Sequence, residues 1–169
     1  HTHDDHVGGT VTAEGAPVFP EARHVIQRAD LDAARAAGTS SDAAEEDVAV
    51  WETLLAPLEA AGSFDVVEGD VDLTDAMGLH HAPGHTPGHQ VVRIASEGTR
   101  IVIAGDTWNH PAQLAHPDWS SGPDGDPVGA AATRRSMLAW LLSHPGTVLA
   151  PTHFAEAFGT VARGPDGLA

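Results

Sequence analysis

The sequence predicts an α+β domain in which helices pack against a β-sheet. A short strand and segments with apolar residues at helical spacing come first, short β-branched segments separated by turn residues follow, and a helix and a strand come last. Such an order favours sheet and helix layers over a helix bundle or a pure β-sandwich. The chain has 169 residues, of which 41% are hydrophobic, enough for one domain with its own core. We therefore expect a single domain over residues 1–169.

The first elements expected are a strand and a short helix. The segment HVIQR at residues 24–28 is typical of a short strand. Asp30 is predicted to cap a brief helix that continues through Ala37 and ends at Gly38.

A longer helix is predicted next, starting at Ser41 or Asp42 and continuing to about Ala61. Gly62 is expected to end it, and Pro57 is expected to kink or break it, because proline cannot donate a helical hydrogen bond. The apolar positions at helical spacing are Val48, Trp51, Leu54, Leu55 and Leu58.

The middle of the chain is predicted to form strands. Four short segments are rich in β-branched residues and are separated by turn residues. The segments are FDVVEG, VDLTDAMGLHHAPG, QVVRIAS and RIVIAGD. The last two are predicted to form a hairpin that turns at Glu97 and Gly98.

A long loop, a helix and a final strand are predicted to follow. The loop covers roughly residues 109–126 and is rich in Pro, Gly, Asp and Ser. Asp126 is expected to cap a helix with Pro127 in its first turn, extending to about Ser143. TVLAP is predicted to be the last strand. The buried helix positions are expected to be Met137, Leu138, Leu141 and Leu142.

The amino-acid composition limits which metal ligands the chain can offer and which partners it can bind. Because the chain has no cysteine, a metal can be held only by imidazole and carboxylate groups, which suit zinc, manganese, iron or cobalt better than Cu(I). With 24 acidic and 8 basic residues, the formal charge of −16 disfavours nucleic acids and anionic membrane surfaces. No apolar run approaches the ~20 residues that span a bilayer. A cytoplasmic location is favoured, and a homodimer is left open.

The first six residues, HTHDDH, contain a dense group of metal-ligand side chains. His1, His3, Asp5 and His6 form the pattern H-x-H-x-D-H. On a strand the first three would share a face, and in a tight turn all four could converge on one point. Crowding these groups together is costly by desolvation and repulsion unless a divalent cation binds them. We therefore interpret this segment as part of a metal site.

In three further segments, a residue whose side chain can bind a metal ion follows the predicted end of a strand. His85 lies between two Pro-Gly pairs in HHAPGHTPGHQ, Asp106 follows the strand IVIAG, and His153 follows the strand TVLAP. The other histidines of the first of these segments, His80, His81 and His89, are expected to support a ligand from behind or to lie in solvent.

These four segments, in this order, resemble the metallo-β-lactamase superfamily of metallohydrolases. The resemblance covers nearly the whole chain and implies an αββα sandwich. It implies one metal ion held by His1, His3 and His85. It implies a second ion held by Asp5, His6 and His153, with Asp106 bridging the two. Zn²⁺ is the expected metal, and Mn²⁺, Fe²⁺ or Co²⁺ are alternatives.

The resemblance also implies an activity. A hydroxide shared by the two ions would attack an ester, lactone or phosphotriester bond whose oxygen the ions polarise. Asp5 and Asp106 are the expected catalytic carboxylates, with Asp5 passing a proton to the leaving group. Trp108 and Phe154 are expected either to line the substrate pocket or to belong to the core.

The branch of the superfamily is inferred by exclusion. An aspartate at the bridging position and the absence of cysteine argue against true β-lactamases, and the charge of −16 argues against nucleases. Having few basic residues argues against a glyoxalase II-like thioester hydrolase, which is kept as the alternative. The best-known acyl-homoserine lactonases place a tyrosine beside the metals, and this chain has none. Residues 19–33 and 116–141 favour the lactonase and methyl-parathion-hydrolase-like branch.

Two alternatives of other classes stay open. In this superfamily the H-x-H-x-D-H motif follows strands of a first half-sheet, so we expect a fragment that lacks its N-terminal strands. A free amine at His1, with His3 two residues on, could then chelate Cu(II) and make the piece a non-catalytic metal-binding fragment. The other alternative is a metal-binding but inactive member of the fold that serves as a regulatory module.

Overall fold

A computed structural model of the chain describes residues 1–164 and 167–168. The chain divides into two compact units, His1–Glu68 and Gly69–Ala169. Each unit has its own cluster of buried apolar side chains. The single domain expected from the sequence stays a prediction.

The first unit contains a two-stranded parallel sheet and a series of helices. Its strands are β1 (His24–Gln27) and β2 (Phe64–Val67), with His24 opposite Phe64 and Gln27 opposite Val67. The helices are α1 (Asp4–Val7), α2 (Arg28–Thr39), α3 (Glu45–Val50) and α4 (Ala56–Ala60). The buried apolar residues of this unit that form its core are Ile26, Leu31, Trp51 and Leu55.

The predicted boundaries of α2 were wrong at both ends. The helix begins at Arg28, directly after β1, so that Asp30 lies inside its first turn, is buried and does not cap it. Gly38 lies inside the helix and does not end it. A Cβ atom on Gly38 would lie 2.2 Å from Cβ of Trp51, so glycine is required there by the close approach of the next helical segment. Sequence periodicity does not reveal such an approach.

The long helix predicted after Ser41 is present only from Glu45 onwards. Ser40 to Ala43 form a turn instead, closed by the Ala43 N–H donating to Ser40 O at 3.2 Å. The interruption expected at Pro57 is confirmed. Residues Trp51–Leu55 form one π-helical turn between α3 and α4, in which the Ala56 N–H donates to Trp51 O. A helix that contains proline must adjust locally, because the ring removes a donor and crowds the preceding turn.

The second unit is built on a six-stranded sheet whose strand order follows the chain. Neighbouring strands are antiparallel, except that the fourth and fifth are parallel. The strands are β3 (Val71–Thr74), β4 (Met77–His81), β5 (Gln90–Ser96), β6 (Thr99–Gly105), β7 (Val148–Pro151) and β8 (Gly159–Thr160). Residues Arg163–Gly164 (β9) and Gly167–Leu168 (β10) form a separate short ribbon. QVVRIAS, RIVIAGD and TVLAP form strands as predicted, but TVLAP is not the last one. The segment VDLTDAMGLHHAPG forms two antiparallel strands, β3 and β4, instead of one.

Turn and cap chemistry in the second unit agrees with the sequence. Glu97 and Gly98 have φ angles of 50° and 82°, the conformation of a tight hairpin turn between β5 and β6. The parallel connection from β6 to β7 contains a short helix, α5 (Ala112–Ala115), which the sequence did not predict, and the long helix α6 (Pro127–Ser143). The Asp126 carboxylate caps α6 by accepting from the Gly129 N–H at 3.0 Å.

The apolar face of α6 covers the sheet of the second unit. The side chains of Met137, Leu138 and Leu141 are buried, whereas Leu142 is only partly buried. The buried sheet residues in the same cluster are Ala82, Val91, Val102, Ala104 and Leu149. This packing fixes the ends of β4, β6 and β7, which is where His85, Asp106 and His153 follow. Among the described residues, no helix is both long enough and apolar enough to span a membrane.

Candidate metal centre

In the first unit the H-x-H-x-D-H segment folds into a tight turn. His3 is extended and precedes α1, so Asp5 and His6 fall within that single helical turn. His1 Nε2 lies 3.1 Å from His3 Nδ1, and the rings of His1 and His6 have centroids 4.0 Å apart. His6 Nε2 lies 3.6 Å from Asp5 Oδ2. The segment thus brings imidazole and carboxylate donors close together, as the tight-turn interpretation expected.

In the second unit three predicted ligands meet at one carboxylate oxygen. Asp106 Oδ2 lies 3.3 Å from His85 Nε2 and 3.1 Å from His153 Nε2. His85 and Asp106 are buried, whereas the His153 side chain is 35% exposed. Two imidazole nitrogens on the same oxygen form the donor arrangement that suits a carboxylate shared between two cations. The side chains present therefore fit the metals that the sequence implies.

The position of Asp106 is fixed from behind by His89. The Asp106 N–H donates to His89 Nε2 at 3.0 Å, and His89 Nδ1 donates to Ala82 O at 3.0 Å. His89 is completely buried, and this burial lowers its pKa to about 3, so the imidazole stays neutral and Nε2 can accept. Of the two roles expected for His89, support of a ligand fits this geometry and exposure to solvent does not.

A buried Asp–Arg pair lies behind His85, and the sequence did not reveal it. Asp124 Oδ1 lies 3.3 Å from His85 Nδ1, and Asp124 Oδ2 accepts from Arg134 at 3.1 Å. Burial raises the pKa of Asp124, but hydrogen bonds from the Ser121 amide and Arg134 outweigh it, so the pKa lies below its usual value. The only sequence signal was an arginine on the otherwise apolar face of α6.

The remaining histidines of the second motif have partners of their own. His80 pairs with Asp70 through Nδ1, and His81 Nε2 lies 3.0 Å from Pro87 O. These contacts tie β4 to the segments on either side of it. They give both residues a structural role.

The two aromatic residues proposed for the pocket lie in or against the core of the second unit. Trp108 is fully buried among the residues of the main cluster, including Val102 and Met137. Phe154 is partly buried and packs against the same cluster. These positions favour the core role that the sequence left open for both.

Comparison with known proteins identifies the family. The model of the metallo-beta-lactamase superfamily matches residues 1–153 of the 169. The chain therefore belongs to the metallo-β-lactamase superfamily, as its four ligand segments indicated. The fold is α+β and of the type found in that superfamily.

Among similar proteins, N-acyl homoserine lactonases recur. The chain is 31% identical over 103 residues to one from Bacillus sp, matching 61% of this chain and 34% of that protein. It is 29% identical to another from Bacillus cereus over the same length. The match thus spans about a third of the length of these curated relatives.

Solved structures with the same fold extend the comparison along the chain. AidC, a dizinc quorum-quenching lactonase solved in complex with a product, matches with a TM-score of 0.82 and 24% identity. AbOPH, a hydrolase in the beta lactamase superfamily, matches with a TM-score of 0.78 and 24% identity. Each match covers 99% of this chain and 60% of the other. At 24% sequence identity, the similarity to these two structures shows a shared fold and nothing more.

Proposed function

We propose that this chain carries the dinuclear metal site of a hydrolase that cleaves lactone, ester or phosphotriester bonds. The observation that carries the proposal is the Asp106 carboxylate, of which one oxygen faces the imidazoles of both His85 and His153. An oxygen in that position suits a bridging ligand, and a bridging ligand implies two cations.

The ligand assignment follows the order of the motifs in the superfamily. One ion would be held by His1, His3 and His85, the other by Asp5, His6 and His153, and Asp106 would contact both. All donors are nitrogen or oxygen atoms, and imidazole with carboxylate suits zinc, with manganese, iron and cobalt as alternatives. Each unit supports its own share of this assignment through the close spacing of its ligand groups.

When bound, two such ions lower the pKa of a water molecule and polarise the oxygen of the bond under attack. The residues of this chain hold that arrangement in place. The backbone of Asp106 is fixed by its amide hydrogen bond to His89, and its carboxylate accepts from Asn109 Nδ2 at 3.1 Å. The Asp5 side chain is 52% exposed, so its carboxylate is accessible to take a proton from the attacking water and pass it to the departing alkoxide.

Lactones are the favoured substrate class. The curated relatives are named as N-acyl homoserine lactonases, and the structurally similar AidC is a dizinc lactonase. This chain contains no tyrosine, so any hydrogen bond to the substrate must come from other groups. A glyoxalase II-like thioester hydrolase is the alternative substrate class, and the same screen tests it.

The test is hydrolysis by the zinc-loaded chain of an N-acyl homoserine lactone, an aryl ester, a phosphotriester and a thioester. We expect the lactone to be cleaved fastest. Asp106→Asn should reduce kcat/KM by more than the ~10–100-fold typical of removing a group that merely supports a ligand. The matched control is Asp118→Asn, which changes an exposed carboxylate paired with Arg135 and should leave the rate unchanged.

Other outcomes would contradict the proposal in different ways. A folded chain that keeps zinc but cleaves none of the four substrates would favour the regulatory alternative. Copper binding that disappears when residues are added before His1 would favour the N-terminal chelate. Equal rates for Asp106→Asn and the unchanged chain would show that the carboxylate has no role in the reaction.

A further inference from the structure

Behind the imidazole of His85 lies a chain of buried side chains that contact one another through polar groups. It consists of His85, Asp124 and Arg134, whose side chains are at most 3% exposed. Asp124 contacts the histidine through Oδ1 and the guanidinium through Oδ2. Away from water, such contacts are electrostatically stronger than at the surface, and an unpaired member would be costly.

Three hydrogen bonds fix the orientation of the Asp124 carboxylate. Its Oδ2 atom accepts from the Ser121 amide at 3.1 Å, from the Ser120 hydroxyl at 3.3 Å and from Arg134 at 3.1 Å. Oδ1 is thereby left facing His85 Nδ1 at 3.3 Å. An ionised carboxylate can only accept hydrogen bonds, so Nδ1 must carry a proton for this contact to be favourable.

The same segment also holds the backbone of the His85 loop. The Gly125 N–H donates to His85 O at 3.0 Å, and the Asp126 N–H donates to Gly84 O at 2.8 Å. The loop lies so close to the start of α6 that a Cβ on Gly84 would be 2.1 Å from the Ala130 nitrogen. The ring and the backbone of the histidine are therefore fixed by one continuous segment.

We propose that Asp124, held by Arg134, is a positioning residue that keeps the His85 proton on Nδ1 and leaves the lone pair of Nε2 for a metal. This proposal rests on the proposed function, because it takes His85 to be a metal ligand. Nε2 is the atom that faces Asp106, at 3.3 Å. Asp124 acts only through His85 and does not itself touch the metal or the substrate.

The substitution Asp124→Asn tests this role, because the amide has one acceptor and one donor. Arg134 and the Ser121 amide both donate and so require the oxygen, which turns the NH₂ group toward His85 Nδ1. That contact favours the tautomer with its proton on Nε2, the atom that must bind the metal. We expect zinc affinity to fall by about 10–100-fold, measured by competition with a chromophoric chelator.

A second readout separates positioning from simple loss of packing. Without metal, the Asp106 carboxylate would also accept from Nε2, so the tautomer is measured in a chain that carries Asp106→Ala. Nitrogen-15 NMR of this metal-free chain at alkaline pH should show the His85 proton on Nδ1, and on Nε2 when Asp124→Asn is added. Asp118→Asn serves as the matched control, because it changes an exposed aspartate that also pairs with an arginine of α6. It should leave both the zinc affinity and the tautomer unchanged.

Wild-type zinc affinity in Asp124→Asn, with the proton still on Nδ1, would overturn the proposal. If that variant does not fold, the tautomer in the metal-free Asp106→Ala chain decides: a proton on Nδ1 supports the proposal, and a proton on Nε2 alone overturns it. Failure of the proposed function is distinguishable, because an unchanged chain that binds no zinc contradicts the function while the tautomer is still measured without metal.

Discussion

Gly84 shows at the scale of a single residue how the metal centre depends on backbone shape. Its φ angle of 131° is one that side chains rarely allow, and a Cβ there would lie 2.1 Å from the Ala130 nitrogen. We expect Gly84→Ala to lower the free energy of unfolding by about 1–3 kcal/mol, as strain and overpacking do. It should also weaken zinc binding, because the His85 loop would shift. Urea unfolding and chelator competition measure the two effects.

Gly122→Ala is the control for that substitution. Gly122 is exposed, has no positive φ and has no heavy atom within 4 Å of the Cβ it would acquire. Its replacement should therefore change stability by no more than about 0.5 kcal/mol. Equal effects of the two alanine substitutions would argue that the contact between the His85 loop and α6 does not constrain the site.

The sequence predicted the candidate ligands better than the residues that support them. His85, Asp106 and His153 each follow a predicted strand, so their pattern along the chain was informative. Asp124 is 39 positions from His85, and only the packing of α6 on the sheet brings the two together. The sequence places His89 in the same motif as His85, but its hydrogen bond to the Asp106 amide can be seen only in the folded structure. Supporting contacts of this kind have no local signature.

At the scale of elements, the cap of α6 links helix stability to the metal centre. The Asp126 side chain accepts from the Gly129 N–H, while its backbone N–H donates to Gly84 O. Asp126→Ala removes only the first contact and should lower the free energy of unfolding by ~0.5–2 kcal/mol. Asp126→Ser keeps a capping oxygen and should recover most of that loss. Urea unfolding of both variants tests this, and an unchanged midpoint for Asp126→Ala would contradict it.

Elements with strong local signals were predicted well, and those set by packing were not. The capped helix α6 and the hairpin at Glu97 and Gly98 depend on cap and turn chemistry that is visible in the sequence. Glycine commonly ends helices, so the sequence predicts a helix end at Gly38, whereas close contact with Trp51 explains a glycine inside α2. The two-residue strand β8 is too short to leave a pattern, and it exists through its pairing with β7.

At the scale of the whole molecule, metal binding is expected to stabilise the folded chain. Acidic residues outnumber basic ones by 24 to 8, and several carboxylates and imidazoles lie close together in each unit. Bound cations would offset the repulsion within these groups, and a ligand that binds only the folded state stabilises it by mass action. This charge pattern and the ligand spacing could be predicted from sequence, whereas the division into two units could not, because it depends on packing.

The most direct test of the proposed dinuclear site is the zinc content of the folded chain, measured by elemental analysis after removal of loosely bound metal. We expect close to two zinc ions per chain, and we expect a chelator that removes them to lower the unfolding temperature. Asp106→Asn should retain less zinc than Asp118→Asn under the same conditions. A folded chain that retains no metal would contradict the proposed dinuclear site.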